Sequence, residues 1–319
     1  MELSIIIVNF NSLTFIRKCL ESMFSMLETA GFKWEVVVVD NNSSDGSIDY
    51  FKNLQSQFDN FSVIAGSQNN GFAKASNIGA GSASGEFLLF LNPDTEFIET
   101  GMQKVLDFFN SKNEVEKIGI VGVKLLNPDN SIQYSCRSFP TLARQFLESY
   151  FLYRIFSRSR IFGSYFLSDW NHESIRKVDW LSGAFMLIKK EVFKKFGGFD
   201  EGYFMYSEDA DICLRLSRAG FKNYYFNQYS IRHDDGAIAS GNKALRNSQI
   251  WRSRRLYFLK NYSLMHALLE SYLFFLGVIN RLLVFSLIAV FKFKNRTYKE
   301  RISSEARTLK LYFSRKETK

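Results

Sequence analysis

Residues Val36–Ser47 have the sequence VVVVDNNSSDGS, an unbroken β-branched run that ends in an acid and leads into turn-forming residues. An apolar run of this length is typical of a strand buried on both faces. The chain begins in the same way, because Leu3–Phe10 is almost entirely apolar. Similar runs return along the first 125 residues at Phe61–Ala65, Phe87–Leu91 and Ile118–Val123.

Amphipathic stretches of helical period, such as Leu13–Leu27, separate these runs. Strands that alternate with helices predict an α/β fold with a parallel sheet. In open sheets of this kind, ligands bind at the carboxyl ends of the strands. We therefore expect the functional site in the loops that follow Phe10, Asp40, Ala65 and Leu91.

The composition excludes several classes of protein. Of 319 residues, 46% are hydrophobic, which is enough for a sizeable core and unlike a disordered chain. The three cysteines lie far apart, which excludes a disulfide framework or a cysteine-based zinc site and favours a reduced compartment. No basic n-region precedes the first apolar run, so a secretory signal is not expected.

The net positive charge of the chain comes from its C-terminal part. Residues 1–230 hold 23 basic and 26 acidic residues, a net charge of −3, whereas residues 231–319 hold 18 and 6, a net charge of +12. Such a segment favours an anionic partner, which could be a membrane surface, a nucleic acid or a phosphate-bearing substrate.

The stretch Leu264–Phe293 is apolar apart from a narrow polar stripe, formed by His266, Glu270, Gly277 and Arg281. A helix packed on the protein and a membrane-spanning helix both fit this length. A mid-bilayer arginine costs roughly 2.5–3.5 kcal/mol, so an interfacial helix is favoured. Anionic headgroups would attract the cations that follow, Lys292, Lys294, Arg296, Lys299 and Arg301. We therefore predict an amphipathic, basic helical region for membrane association over 261–319.

Two loops after predicted strands are candidates for binding a nucleotide. Asp40 could accept a hydrogen bond from a nucleobase N–H or a ribose hydroxyl, or it could satisfy amides of its own turn. Asn70 and Gly71 open a helix whose first turn contains Lys74. A helix N-terminus and a lysine together favour an anion such as a diphosphate, although a capped helix with a surface lysine has the same pattern.

The stretch Leu88–Glu96, LLFLNPDTE, delivers Asp94 at the edge of the predicted sheet. One carboxylate together with substrate phosphates is the usual way in which Mg²⁺ or Mn²⁺ is held. The neutral imidazole of His233 could complete that site. An ordinary type I turn and a surface-loop histidine are the alternatives.

A predicted helix over Ser207–Ala219 carries three acids in its first turn. Asp211 is spaced to pair with Arg215, whereas Asp209 lies in line with the apolar stripe. A carboxylate there is costly unless it is paired or used, and partial burial raises its pKa as a general base requires. Compensation of the helix dipole is the alternative reason for the acids. Val178–Ile188, which contains Gly183, is predicted as one strand.

Six segments, taken in order, resemble the family 2 glycosyltransferases, in particular rhamnosyltransferase-type members. They are SIIIVNFNS, VVVVDNNSSDGS, NNGFAKASNIGA, FLLFLNPDTEF, the segment from DWLSGAFMLIKK to YSEDADICLRL, and RHDDGAIAS. The resemblance extends from Leu3 to Leu259. It implies a GT-A fold over 1–260, which is a Rossmann-like mixed sheet flanked by helices, with a nucleotide-binding half (1–125) and an acceptor or catalytic half (126–260). It also implies inverting transfer from a nucleotide-diphosphate sugar.

The resemblance also implies roles for individual residues. Asp209 matches the catalytic base, and Asp94 with His233 matches the site of a divalent metal, Mg²⁺ or Mn²⁺. The family's first metal-motif acid is replaced here by Asn92, which leaves one charged ligand fewer. The predicted donor-binding set is Asn9, Asp40, Asn42, Asn70, Gly71, Lys74, Asn92 and Asp94. The predicted acceptor-binding set is Trp180, Gly183 and Glu208.

The expected donor is a dTDP- or UDP-linked sugar, rhamnose by resemblance, and the expected acceptor is a lipid-linked or cell-surface polysaccharide precursor. Such an enzyme would be cytoplasmic and peripheral on the inner face of the membrane. A sugar-phosphate nucleotidyltransferase is a second possibility, but it needs a glycine-rich basic loop where Asn9–Ser12 stands. A non-catalytic membrane-associated binding module is a third. Nucleic acid is not an expected partner, since no reading motif accompanies the cations.

Overall fold

The computed structural model describes residues 1–156, 158–236, 243–291 and 296–314. The strands are β1 (Leu3–Asn9), β2 (Trp34–Asp40), β3 (Phe61–Ala65), β4 (Phe87–Leu91), β5 (Thr95–Phe97), β6 (Ile118–Leu126), β7 (Ile132–Gln133), β8 (Cys136–Arg137), β9 (Arg176–Val178), β10 (Trp180–Leu181), β11 (Phe185–Lys189) and β12 (Lys222–His233). The helices are α1 (Leu13–Leu27), α2 (Ser47–Gln57), α3 (Gly71–Ser82), α4 (Met102–Asn113), α5 (Leu142–Ser149), α6 (Leu152–Ile155), α7 (Lys190–Lys195), α8 (Glu208–Arg218), α9 (Lys243–Asn261), α10 (Leu264–Phe291) and α11 (Arg296–Phe313).

A mixed sheet forms the centre of the fold, with the order β3-β2-β1-β4-β11-β6-β12-β5. The pairs among β3, β2, β1 and β4 are parallel, whereas β11 runs antiparallel to both of its neighbours. Every residue of β1 and β4 is buried, which confirms the interpretation of these apolar runs. β3 lies at one edge of the sheet, and only Phe61 in it is buried.

The strand order reverses between β1 and β4, because the chain first builds outward to β3 and then returns to the other side of β1. At such a point, the loops after the two central strands diverge and leave a crevice at the carboxyl edge of the sheet. The loops after Asn9 and Leu91 follow these two central strands at the switch point.

The prediction of one strand over Val178–Ile188 is wrong. The chain turns at Ser182–Ala184, where the Phe185 amide donates to the Ser182 carbonyl across 3.4 Å. β10 therefore pairs with β8 in a small two-stranded sheet, while β11 enters the main sheet between β4 and β6. An apolar run predicts burial equally well on either side of a turn, so it did not reveal the break.

The chain divides into two compact units. The first consists of 1–138, 171–204 and 208–238 and holds the sheet. The second consists of 139–170, 205–207 and 239–319 and is helical in its described part. The domain boundaries given by the sequence remain a prediction.

Within the helical unit, α10 packs on α5, α9 and α11. The polar stripe faces this packed side: Glu270 is fully buried, and Arg281 Nε lies 3.0 Å from Glu305 Oε2. The opposite side of α10 is exposed and apolar, and we call it the apolar face of α10; it comprises Leu264, Met265, Leu268, Leu269, Tyr272, Phe275, Ile279, Leu283, Leu287, Val290 and Phe291. Lys292 and Lys294, which we counted among the cations, lie outside the described residues.

Candidate active site

The ends of β1 and β2 bring Asn9 and Asp40 together, because these residues are partners in the parallel register. Asn9 Nδ2 donates to Asp40 Oδ1 across 2.8 Å, and the Ser43 amide donates to Oδ2 across 2.9 Å. Both side chains are buried. The Asp40 carboxylate is thus held in a fixed orientation at the crevice, with lone pairs left for a further donor.

The loop after β2 is tied to the start of α3 by a residue that the sequence analysis missed. Asn41 Nδ2 donates to the Gly71 carbonyl across 3.1 Å. Gly71 has φ = +77°, and a Cβ there would lie 2.2 Å from the carbonyl oxygen of Phe204. Glycine is therefore required on both conformational and steric grounds.

The other predicted donor-binding residues lie around these loops. Asn42 is exposed in a left-handed conformation, with φ = +66°. Asn70 immediately precedes α3, and its Oδ1 accepts from Gln68 Nε2. Lys74 is exposed in the first turn of the helix, as expected. These positions remain predictions for donor contact.

Asn92, Asp94 and His233 converge where β12 pairs with β5. His233 Nε2 lies 3.2 Å from Asp94 Oδ1 and 3.4 Å from Asn92 Nδ2. The Asp94 and His233 side chains are only 7% and 5% exposed, and Asp94 Oδ1 accepts no hydrogen bond from the described residues. A buried carboxylate oxygen without a donor, opposite an imidazole nitrogen, is an arrangement that a cation would satisfy.

Within the described residues, no group of three or more histidine, cysteine or acidic side chains could hold a metal. Asp94, His233 and the Asn92 amide supply an oxygen, a nitrogen and a second oxygen after rotation of the amide. Mg²⁺ and Mn²⁺ commonly take their remaining ligands from phosphates and water. The residues thus fit a metal that is held jointly with a diphosphate.

Asp209 is linked to this region through the turn between β10 and β11. The backbone N–H of Gly183 donates to Asp209 Oδ2 across 3.2 Å. The backbone N–H of Asn92 donates to the adjacent Ala184 carbonyl, also across 3.2 Å. A Cβ on Gly183 would lie 3.7 Å from the ring of Phe72 in the first turn of α3. The predicted base, the metal residues and the donor helix therefore meet around one short turn.

The two acids at the start of α8 have different environments. Glu208 is buried, its Oε2 has no hydrogen-bond partner in the described part of the chain, and burial followed by the charge of Asp209 raises its pKa well above the ordinary value. Asp209 is half-buried. Burial raises its pKa, while the amides of Ala210 and Gly183 and the charge of Arg137 oppose that rise. Burial therefore raises the pKa of both acids, and only at Asp209 do two backbone amides and the Arg137 charge act against it.

The side chain of Trp180 is positioned by two neighbours. Its Nε1 donates to the Ser138 carbonyl across 2.9 Å, and the Arg137 guanidinium lies 5.2 Å from its ring centroid. Arg137 is the cross-strand partner of Trp180. Sequence patterns do not mark Arg137 as a site residue, since only the β8–β10 pairing brings it near Asp209. Asp211 bonds Arg215 across 2.7 Å, which confirms its structural role.

A mixed sheet with these loops at its switch point has the GT-A architecture. Solved structures share it, among them the mannosyltransferase PcManGT from Pyrobaculum calidifontis, solved with GDP-Man and Mn²⁺, at a TM-score of 0.54 and 14% identity over 97% of this chain and 85% of that one. S. aureus TarS gives a TM-score of 0.52 and 15% identity over 98% and 80%.

The sequence profile described as "Glycosyl transferase family 2" matches residues 4–215, more than half of the chain. The chain belongs to this family and is a glycosyltransferase. It is 29% identical to the rhamnosyltransferase WbbL of Escherichia coli K12 over 72% of its own length and 82% of the relative's. It is also 28% identical to the N-acetylglucosaminyl-diphospho-decaprenol L-rhamnosyltransferase of Mycobacterium tuberculosis H37Rv, over 62% and 66%.

Proposed function

We propose that this glycosyltransferase moves rhamnose from a dTDP- or UDP-linked donor to a hydroxyl of a lipid-linked or cell-surface polysaccharide precursor, with inversion at the anomeric carbon. The names of both relatives support the sugar, and the decaprenol-linked substrate named for the mycobacterial one supports the acceptor class. The observation that carries the proposal is Asp209, a half-buried carboxylate with a raised pKa that the Gly183–Ala184 backbone links to Asn92.

In the proposed mechanism, Asp209 takes the proton from the acceptor hydroxyl, whose oxygen attacks the anomeric carbon as the nucleoside diphosphate leaves. The ionised base is oriented by the Gly183 amide, which donates to Oδ2. Asp40 and Asn9 hold the nucleoside, and the amino end of α3 with Lys74 stabilises the diphosphate. Trp180 and Glu208 contribute to the acceptor side.

A divalent cation bound by Asp94 and His233 would stabilise charge on the leaving diphosphate. The orphaned Asp94 Oδ1 and its distance to His233 support this role. Because Asn92 replaces an acid, we expect the protein alone to hold the cation weakly and the nucleotide to complete its coordination. Binding of Mn²⁺ should therefore be strongly cooperative with binding of UDP or dTDP.

The apolar face of α10 supports peripheral attachment to a membrane, and we propose that the protein binds its cytoplasmic side. α10 is the one helix in the described ranges that is long and apolar enough to cross a membrane, and one of its sides packs on α5, α9 and α11. Its charged residues Glu270 and Arg281 face those helices. A helix covered on one side and apolar on the other suits the interface rather than a span.

The first experiment is a product assay with the full chain, dTDP-rhamnose or UDP-linked sugars, and a lipid-linked saccharide acceptor. Release of the nucleoside diphosphate with growth of the acceptor is the expected result. Transfer of another sugar in preference to rhamnose would contradict the proposed donor. A product with the same anomeric configuration as the donor would contradict the single displacement.

A further inference from the structure

His233 is flanked by oxygen atoms at both of its ring nitrogens. Nδ1 lies 2.7 Å from Gln133 Oε1, and Nε2 lies 3.2 Å from Asp94 Oδ1. A neutral imidazole carries one N–H, so it can donate to only one of the two oxygens. The other oxygen then faces a lone pair. The identity of the protonated nitrogen therefore decides whether His233 can be a metal ligand.

The orientation of the Gln133 amide settles which of its atoms faces the imidazole. Gln133 Nε2 donates to Asn127 Oδ1 across 3.0 Å and to the backbone carbonyl of His233 across 3.2 Å. A backbone carbonyl can only accept, so the amide nitrogen must lie on that side. Gln133 thus presents its oxygen to Nδ1, and Nδ1 must carry the proton.

Backbone pairing fixes Gln133 in this position. β7 pairs with the end of β6, where Gln133 lies opposite Leu125. β6 runs parallel to β12, which ends at His233. Gln133 is therefore held beside the imidazole by the hairpin rather than by a flexible loop, and its side chain is partly buried.

We propose that Gln133 is a positioning residue for the metal that the proposed function requires. By keeping the proton on Nδ1, it leaves the Nε2 lone pair to accept from Asn92 Nδ2, 3.4 Å away, or to bind a cation beside Asp94 Oδ1. A divalent cation bound by His233 Nε2 and Asp94 Oδ1 would accept a lone pair from each. The two lone pairs would then no longer repel each other. Outer-shell partners of this kind typically contribute 10- to 100-fold to metal affinity.

The test measures Mn²⁺ affinity in the presence of UDP, from the electron paramagnetic resonance signal of free Mn²⁺. Gln133→Leu should weaken Mn²⁺ binding about 10- to 100-fold. Gln133→Glu, which keeps an acceptor at Nδ1, should recover part of the loss. Gln103→Leu makes the same chemical change at an exposed glutamine of α4 and should bind Mn²⁺ as the wild type does.

A second readout reports on the proton itself. With Mg²⁺ and UDP bound, ¹⁵N spectra of histidine-labelled protein should show His233 protonated at Nδ1 and not at Nε2. The chain has three histidines, so His233→Gln assigns the signal. A proton on Nε2 in the loaded wild type, or unchanged Mn²⁺ affinity in Gln133→Leu, would overturn the inference. A wild type that binds UDP but no Mn²⁺ would refute the metal site itself, and this inference with it.

Discussion

The amide of Gly183 donates a hydrogen bond to Asp209 Oδ2 across 3.2 Å, and this bond joins the turn before β11 to the first turn of α8. Because the amide favours the ionised carboxylate, it partly offsets the burial that raises the Asp209 pKa. The same turn bonds the backbone of Asn92 through Ala184. The proposed base is therefore oriented relative to the proposed metal residues by backbone atoms, which side-chain substitutions leave in place.

Asp209→Asn should abolish most turnover and leave donor binding intact. The amide keeps the shape of the side chain but cannot take a proton, and loss of a general base typically costs 10²- to 10⁴-fold in rate. Single-turnover kinetics and thermal shift with UDP separate the two effects. Turnover at the wild-type rate by the folded variant would eliminate Asp209 as the base.

Arg137→Gln should move the acidic limb of the kcat/KM profile to higher pH. The positive charge of Arg137 lowers the pKa of Asp209, so its removal raises that pKa, and the base form then appears only at higher pH. Arg137→Lys keeps a positive charge and should keep the limb close to that of the wild type. If both variants have the wild-type profile, Arg137 does not tune the base.

Gly71→Ala should destabilise the protein by about 1–3 kcal/mol, because the residue has positive φ and its Cβ would meet the Phe204 carbonyl. Gly81→Ala, in the same helix, meets nothing within 4 Å and should be neutral or stabilising by up to about 1 kcal/mol. Urea unfolding of both variants measures the contrast. Equal stabilities would show that the loop adapts to a side chain.

Apolar runs predicted the parallel half of the sheet, and the acids that follow them predicted that Asp40 and Asp94 lie at the ends of strands. These two features depend only on local sequence pattern. Arg137 and Gln133 escaped notice for the opposite reason. Each lies in a two-residue strand, and strands that short carry no periodicity. Their roles arise from pairing with β10 and β6, so only the three-dimensional register shows what they face.

The helical unit shows a second limit of sequence reasoning. Polar residues at helical spacing in α10 normally mark the solvent side, but Glu270 and Gly277 are buried and the apolar side is exposed. A polar stripe shows that two sides of a helix differ. It does not show which side is covered when the neighbouring helices supply their own charged groups, such as Arg254 and Glu305.

Glu270→Gln should remove a pH dependence of stability. Burial raises the pKa of Glu270 from 4.5 to about 8, so the folded state keeps a proton that the unfolded state releases. The free energy of unfolding therefore falls as pH rises from about 4.5 to about 8. Above that range Glu270 is ionised in both states, and its contribution to the pH dependence ends.

Urea unfolding at several pH values measures the contrast. Across this range the free energy of unfolding of the glutamine variant should rise relative to that of the wild type, since all other titrating groups are shared. The exposed Glu21→Gln serves as the control. A stability difference between the glutamine variant and the wild type that does not change with pH would mean that Glu270 is ionised or solvated in the folded protein.

Leu283→Glu with Leu287→Glu should release the full chain from anionic lipid vesicles. These leucines are 60% and 62% exposed on the apolar face of α10, and burying each in the lipid interface is worth about 1.5–3 kcal/mol. Losing both removes about 3–6 kcal/mol and should lower the partition coefficient roughly 10²- to 10⁴-fold in a sedimentation assay. Val115→Glu makes a similar change at an 84% exposed residue of the sheet unit and should have no effect. If vesicle binding survives the double substitution, this face does not contact the membrane. If the substitution instead dissociates a dimer formed by the wild type, the face binds a second copy of the chain.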